Sequence, residues 1–374
     1  MLAVKAVQFN YTPTDQILSL LHTFRDMVNE ALRIGFDKKP KTRFKLIAEC
    51  NQTFKEKYGL HSHYVLNACE CAFAMLRNRR WKRKPYAKHL FMKLDNQTYQ
   101  LNYMLLRIPT IPKNFIFIPL RGANYQLSFL RDPALKRGSV TLTASTVTIA
   151  FSKETAMIEP LSMVGYDVNE KSIVSSDGDK YDLSKVANLH HQYSRIRASI
   201  GKKTYRDRRV TQELLARYGK AERKRTNQAL HIVSKQIVER AKESKAVIIL
   251  EKLTNILKRH KKGNGEGTKM RSRMHRWSFG ELQRQIEYKA KWDGISVKYV
   301  NANNTSKTCS QCGFINRKLQ KERVWQCPNC GAELDRDLNA AVNIRFRFKE
   351  AVVVRPSNEG LSNEAMVLRD ANSG

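Results

Sequence analysis

Acidic residues are scarce in this chain of 374 residues, and it contains no run of about 18 apolar residues, the length needed to cross a bilayer. The missing apolar run excludes a membrane-spanning helix. The opening "MLAVKAVQFNYT" lacks the basic start and apolar stretch of a signal peptide, so the chain is expected to be soluble, intracellular and not membrane-bound. The shortage of acid is large: Asp plus Glu number 34 against 68 Lys plus Arg, a formal charge of +34. Such a surplus repels itself unless a polyanion screens it, and nucleic acid is the first candidate. No long internal repeat is present, and 374 residues are enough for two or three domains, each with its own core.

The basic residues are spread rather than confined to a tail. They concentrate in "LRNRRWKRKPYAKH" (76–89), "RIRASIGKKTYRDRRV" (195–210), "KAERKR" (220–225) and "LKRHKKGNGEGTKMRSRMHR" (257–276). A single run of this kind is usually a solvated face. Four of them interleaved with Trp81, Tyr86, Tyr205 and Trp277 fit a groove that tracks phosphates and stacks bases. The contacts expected to matter most are Arg79, Arg80, Trp81, Lys82, Arg83, Lys84, Arg206, Arg208, Arg209 and Arg276.

The seven cysteines fall into two groups. Cys50, Cys69 and Cys71 lie in an apolar, helical-looking region and read as small core hydrophobes. Cys309, Cys312, Cys327 and Cys330 form two CxxC pairs separated by 14 residues, each followed by a glycine, Gly313 or Gly331. Glycine suits the tight turn after each pair because it tolerates positive φ. Two such knuckles can converge tetrahedrally on one Zn²⁺, and disulfides are disfavoured inside a cell. Four protein ligands leave no open position, which makes the zinc structural rather than catalytic.

Residues 1–10 alternate like a strand. Helical spacing runs from Asp15 to about Phe36 through Ile17, Leu20, Leu21, Phe24, Met27, Val28, Ala31 and Leu32, and a second helical stretch, "HYVLNACECAFAMLRNRRWKR", ends in the first basic run. From about 90 to 160, "LRIPTIPKNFIFIPL", "YQLSFLRD" and "GSVTLTASTVTIAFS" alternate like strands broken by Pro and Gly. Beyond about Leu161, strands and helices alternate. "SMVGYDVNEKSIVSSDGDKYDL" reads as strand, turn and strand, and "AVIILEKL" (246–253) as a buried central strand. A stripe of Leu230, Val233, Ile237 and Ala241 marks an amphipathic helix between them. "FGELQRQIEYKAKWDG" then reads as a helix and "ISVKYVNA" as a strand, with the knuckles inserted before a closing helix.

Three acids stand at the ends of apolar segments: Asp167 in "VGYDVN", Glu251 in "IILEKL" and Asp337 in "DRDLNAA". Each has an ordinary explanation. Asp335 or Asp337 would cap the helix of "LNAAVNIRFRF", and Glu251 would mark where its strand meets solvent. Taken together, carboxylates converging from separate segments can hold two Mg²⁺ or Mn²⁺ ions about 4 Å apart and so assist hydrolysis of a phosphodiester.

"GYDVN", Glu251 after "VIIL", "RWSFGELQRQIEYKAKWDGISVKYVNANNTSKTCSQCG" and "DRDLNAAVNI" together resemble the TnpB (OrfB) family of transposon-encoded, RNA-guided DNA endonucleases. The likeness is dense from about 161 to 346. It implies a multidomain α+β chain: a β-barrel (1–10 and 90–160) interrupted by a helical recognition domain (11–89), then an RNase H-like (RuvC) α/β nuclease domain (161–305 and 333–350) with a zinc-ribbon insert (306–332) and a tail (351–374). It implies Asp167, Glu251 and Asp337 as catalytic ligands of two Mg²⁺ or Mn²⁺ ions, Cys309, Cys312, Cys327 and Cys330 as ligands of one Zn²⁺, a guide RNA and double-stranded DNA as partners, and a cytoplasmic, nucleoid-associated place in a prokaryotic cell. The second acid of "DRD" is the fixed one in the family pattern, so the ligand role goes to Asp337, leaving Asp335 for capping or support. Asn169 and Glu170 depart from the commoner glycine after the first aspartate, and Glu170 adds a nearby charge. Gly263, Gly265 and Gly267 would let a lid move over the site. Two other readings stand beside this one: a transposase that joins strands with the same acids, and a non-catalytic zinc-ribbon protein that binds nucleic acid. Against the other common transposase chemistry, no His-hydrophobic-His pair with a nearby tyrosine occurs.

Overall fold

The computed structural model describes residues 1–77, 84–111, 113–202, 207–252, 267–301, 303–319 and 322–353. The chain divides into two compact units, Leu2–Glu154 and Thr155–Gly374.

In the first unit, strand β1 (Leu2–Asn10) precedes helices α1 (Asp15–Lys38), α2 (Arg43–Tyr58) and α3 (Ser62–Arg77). The helical period of α1 buries Ile17, Leu20, Leu21, Phe24, Met27, Val28, Ala31 and Leu32, and Phe24 meets Tyr64 and Phe91 edge-on at ring distances of 6.5 and 6.0 Å. Cys50 and Cys69 are fully buried, as core cysteines should be, while Cys71 is half-buried. Strands β2 (Phe91–Leu94), β6 (Lys136–Thr143) and β7 (Thr146–Glu154) join β1 in an antiparallel sheet of order β1-β7-β6-β2. Strands β3 (Gln100–Asn102), β4 (Leu105–Pro109) and β5 (Phe115–Pro119) form a second sheet. The three helices lie in sequence between β1 and the other strands of its sheet, and pairing among the described residues gives two open sheets and does not show a closed barrel. The expected strand in "YQLSFLRD" is instead helix α4 (Asn124–Arg131). Gln126 Oε1 accepts from the Ala123 N–H at 2.9 Å, and the adjacent Phe129 and Leu130 are both buried, which a strand's alternation would forbid.

The second unit is built on a five-stranded mixed sheet, order β10-β9-β8-β11-β12. Its strands are β8 (Ser162–Val168), β9 (Ser172–Ser175), β10 (Lys180–Asp182), β11 (Ala246–Glu251) and β12 (Val297–Val300). Gly178, at φ +93°, supplies the turn that splits the expected second strand into β9 and β10. Strand β11 runs parallel to both β8 and β12. Its side chains alternate between two cores: Ile248 and Leu250 face helices α6 (Arg208–Glu243) and α8 (Phe279–Trp292), packing with Leu230, Val233, Ile237, Leu282 and Ile286, while Val247 and Ile249 face α9 (Arg336–Val353) through Ile344. Cover on both faces is why this strand reads as uninterruptedly apolar. Helices α5 (Ser184–Lys202) and α7 (Thr268–Arg276) complete the unit. Before α9, the knuckle segment carries a two-stranded sheet of β13 (Val324–Gln326) and β14 (Glu333–Asp335). No helix among the described residues is long and apolar enough to cross a membrane. Residues 351–353 of the expected tail belong to α9, and the rest lies outside the described residues.

Candidate functional site

The face that α9 covers is also the face on which the acids gather. Gly165 of β8 touches α9 so closely that a Cβ there would lie 2.3 Å from the Ala341 carbonyl oxygen and 2.7 Å from the Arg345 nitrogen. Strand periodicity then puts Asp167, two residues on, toward the same helix. Glu251 follows Val247 and Ile249 by the same count. The β8–β11 pairing runs to Tyr166 opposite Leu250, so the next positions along the two parallel strands are Asp167 and Glu251. Asp337 lies in the first turn of α9, one helical turn before Ala341. All three carboxylates are buried, with 9, 7 and 8 % of their surface exposed.

Burial and then the charges of Glu251 and Asp337 push the Asp167 carboxyl up to about 8, against a hydrogen bond from Asn169 Nδ2 at 2.6 Å and the Arg336 charge. Burial also raises Glu251, although the Thr305 hydroxyl donates to its Oε1 at 2.6 Å and Arg347 opposes the shift. Arg323 and Arg336 lie 3.9 and 3.8 Å from Asp337. Asp335 is the cap: its Oδ1 accepts from the backbone N–H groups of Asp337 (2.9 Å) and Leu338 (3.0 Å), which frees Asp337 from that duty. Glu170 pairs with Arg273 at 3.1 Å. Three buried, mutually repelling carboxylates have the chemistry a hard divalent cation would take, although they are not gathered as tightly as the cysteines.

Those four thiols are, among the described residues, the one group of at least three such ligands drawn together, all within 4.8 Å of one another. Cys309 and Cys330 sulfurs are 3.7 Å apart, and Cys312 and Cys327 3.6 Å, close to the about 3.8 Å edge of a tetrahedron with 2.3 Å zinc–sulfur bonds and far from a disulfide. The knuckles repeat one geometry: Gly313 N–H donates to Cys309 O and Gly331 N–H to Cys327 O, both at 2.9 Å, at φ +76° and +75°. The Asn329 side chain and the Phe314 N–H hold the Cys312 thiol down at about 6, whereas, against the Ala332 N–H, burial and the neighbouring thiols raise Cys330, so without a metal the cluster shares its protons rather than holding four thiolates. Leu319, Trp325 and Leu334 supply a small core. The cluster can therefore hold a metal ion such as zinc.

The expected nucleic-acid residues Arg79, Arg80, Trp81, Lys82, Arg83 and Arg206 lie outside the described residues, as do Tyr205, Gly263 and Gly265. Lys84 pairs with Asp37 at 2.8 Å. Arg208 and Arg209 open α6 behind Asp207, whose carboxylate accepts from the Arg209 N–H at 2.8 Å, and Arg276 Nε donates to Ser272 O at 2.9 Å. Tyr86 is exposed. Trp277, expected to be a stacking platform, instead packs against the sheet core beside Phe279, with ring centroids 5.2 Å apart.

The structure also places residues that the sequence reading assigned no role. Asn339 and Asn343 on the buried face of α9 bind the segment leading into the first knuckle: Asn339 Nδ2 donates to Thr308 O (2.7 Å), and Asn343 Nδ2 to Thr305 O (2.8 Å) and Thr308 O (2.7 Å). Two asparagines four residues apart amid Ala340, Ala341 and Ile344 were the available signal, since buried amides need partners.

A mixed α/β domain with buried acids at one end of its sheet and a four-cysteine insert is thus the class of protein that fold and site define. Residues 279–344 match the Cas12f1-like TNB domain model, and residues 20–109 match that of the uncharacterized protein MJ0013 family. A TnpB-like protein of Methanocaldococcus jannaschii is 33% identical over 256 residues, covering 64% of this chain and 89% of that protein. A CRISPR-associated endodeoxyribonuclease Cas12f1 of an uncultured archaeon is 43% identical over 75 residues, 18% of this chain and 14% of its own length. A putative RNA-guided DNA endonuclease of Streptomyces pristinaespiralis is 32% identical over 195 residues, 48% of this chain and 44% of its own. The fold is shared with Cas12f1 as solved by cryo-electron microscopy with sgRNA and target DNA, at a TM-score of 0.59 and 15% identity over 89% of this chain and 83% of that one. The chain belongs to the TnpB-like family.

Proposed function

We propose that the chain is an RNA-guided DNA endonuclease, its second unit an RNase H-like (RuvC) nuclease domain in which Asp167, Glu251 and Asp337 hold two Mg²⁺ or Mn²⁺ ions, with one structural Zn²⁺ in the ribbon. The first unit takes the part of a wedge-like barrel and helical recognition domain that grips the guide. The observation that carries the reading is the convergence of three buried acids, from two parallel strands and one helix start, on the face covered by α9. When bound, a pair of divalent cations supplies charge compensation at the attacking and leaving oxygens of a phosphodiester. The protein's own groups do the positioning: Asn169 orients Asp167, and Asp335 fixes the turn bearing Asp337. Sequence choice falls to pairing between guide and target, while the excess of +34 holds the phosphates.

The test is to purify the protein from its host and sequence the RNA bound to it, then assay DNA cleavage with that RNA. Discrete transcripts and guide-dependent cutting are expected, with cutting lost in Asp167→Ala. Cutting without a guide would favour the strand-joining alternative, and undiminished cutting by Asp167→Ala would remove the assignment of the acids.

A further inference from the structure

The segment 304–310 connects two places that look unrelated. At one end the buried Thr305, 5 % exposed, donates its hydroxyl to Glu251 Oε1 at 2.6 Å. At the other end Ser310 follows the knuckle residue Cys309, and its N–H donates to Asn339 Oδ1 at 2.8 Å. Between them the Lys307 and Thr308 N–H groups both turn back onto Asn304 O at 3.0 Å. The amides of Asn339 and Asn343 pin the carbonyls of Thr305 and Thr308 to α9. The Thr305 carbonyl is thus held on α9 while its hydroxyl donates to one carboxylate oxygen.

We propose that Thr305 is a positioning residue for Glu251, and that Asn339 and Asn343 make its aim depend on a metal-loaded first knuckle. The inference rests on the reading of Asp167, Glu251 and Asp337 as metal ligands. A carboxylate with a fixed outer hydrogen bond presents its remaining lone pairs in one direction, and losing such a partner typically costs a site roughly 10- to 100-fold in metal affinity. Loss of the cysteine-bound metal would release the knuckle, then Ser310 and the Asn339 clamp, and with them the threonine. The cysteine cluster would in this way act on the carboxylates without touching a substrate.

Mn²⁺ binding to the full chain, zinc-loaded and free of nucleic acid, followed by electron paramagnetic resonance, tests the coupling, with zinc content measured alongside. Thr305→Val should weaken Mn²⁺ roughly 10- to 100-fold with zinc content unchanged, and Thr305→Ser, which keeps the hydroxyl, should bind within about twofold of wild type. Cys309→Ser should lose zinc and weaken Mn²⁺ by a similar factor, and the double variant Cys309→Ser/Thr305→Val should be no weaker than either alone, because both changes break one linkage. Wild-type Mn²⁺ affinity in Thr305→Val, or losses that multiply in the double variant, would overturn the proposal. Asp167→Ala separates the two readings: if it abolishes Mn²⁺ binding while Thr305→Val binds Mn²⁺ as wild type does, only the positioning role falls. If Asp167→Ala binds Mn²⁺ normally, the metal-ligand reading falls and takes this inference with it.

Discussion

The cysteine cluster and the carboxylate cluster both force like charges together, yet they are built in opposite ways. The four thiols come from 22 consecutive residues, Cys309–Cys330, on two copies of one knuckle, and reach tetrahedral spacing through local turns. The three carboxylates span Asp167 to Asp337 and meet only because β8, β11 and α9 pack together. A site made from local turns stands or falls with its metal, whereas one made by tertiary packing depends on the whole sheet and tolerates an empty state by holding a proton. The difference can be broken from either side.

Zinc removal should have the largest effect. Structural zinc contributes about 10–16 kcal/mol of apparent binding energy in small zinc modules, and among the described residues the ribbon's core is Leu319, Trp325, Leu334 and two of the cysteines, with Ala332 packed against them. Chelation should raise hydrogen exchange across residues 306–332 well before the central sheet opens. Unchanged exchange there would refute the zinc assignment. Asp167→Ala should come next, with loss of DNA cleavage and a drop in Mn²⁺ affinity beyond the roughly 100-fold that an outer-shell change can cause, while the fold survives and binding of nucleic acid stays nearly intact. A circular dichroism melt and an RNA-binding titration would check both halves.

Gly165→Ala probes the packing that joins β8 to α9. The new methyl would fall on backbone atoms, the Ala341 oxygen and Arg345 nitrogen, so helix or strand must move. We expect a loss of about 1–3 kcal/mol from overpacking, read as a lower melting temperature, together with weaker Mn²⁺ binding because Asp337 rides on the displaced helix. A stable variant with normal metal affinity would mean that α9 does not set the position of Asp337.

The pH response should follow from the proton that stands in for a cation. Burial and the charges of Glu251 and Asp337 push the Asp167 carboxyl up to about 8 from 3.8, so with respect to this group the stability of the metal-free protein is fully present below pH 3.8 and lost as the pH rises through about 8. Metal binding must expel that proton, and Mn²⁺ affinity should therefore climb about tenfold per pH unit below that value and level off above it. A flat titration would show that Asp167 is already ionised.

The same contrast decided what could be read from sequence. The knuckles were legible because CxxC spacing and the following glycines encode their geometry locally, and β11 because burial on both faces leaves an unbroken "AVIIL". Helix α2 shows no clear apolar stripe in the sequence, since only Leu46, Cys50 and Phe54 of its residues are buried. Helix α4 reads as a strand from sequence because Tyr125, Leu127 and Phe129 mimic a two-residue period. Thr305, Asn339, Asn343 and Gly165 carry no local sign of which residues are their partners, since these lie 29 to 180 residues away in sequence.

The smallest expected effect belongs to Glu170, the residue by which this chain departs from the commoner pattern after Asp167. A fourth carboxylate beside three others would ordinarily worsen their repulsion. Here Arg273, more than half exposed, meets it at 3.1 Å, and an exposed pair of this kind is worth about 0–1 kcal/mol. Glu170→Gln should therefore change the melting temperature by at most a few degrees and leave Mn²⁺ affinity within about twofold of wild type, since outer-shell partners that matter cost 10-fold or more. A larger loss would make Glu170 a working member of the carboxylate group, and the division between one local site and one assembled from three distant acids would have to admit a local ligand next to Asp167.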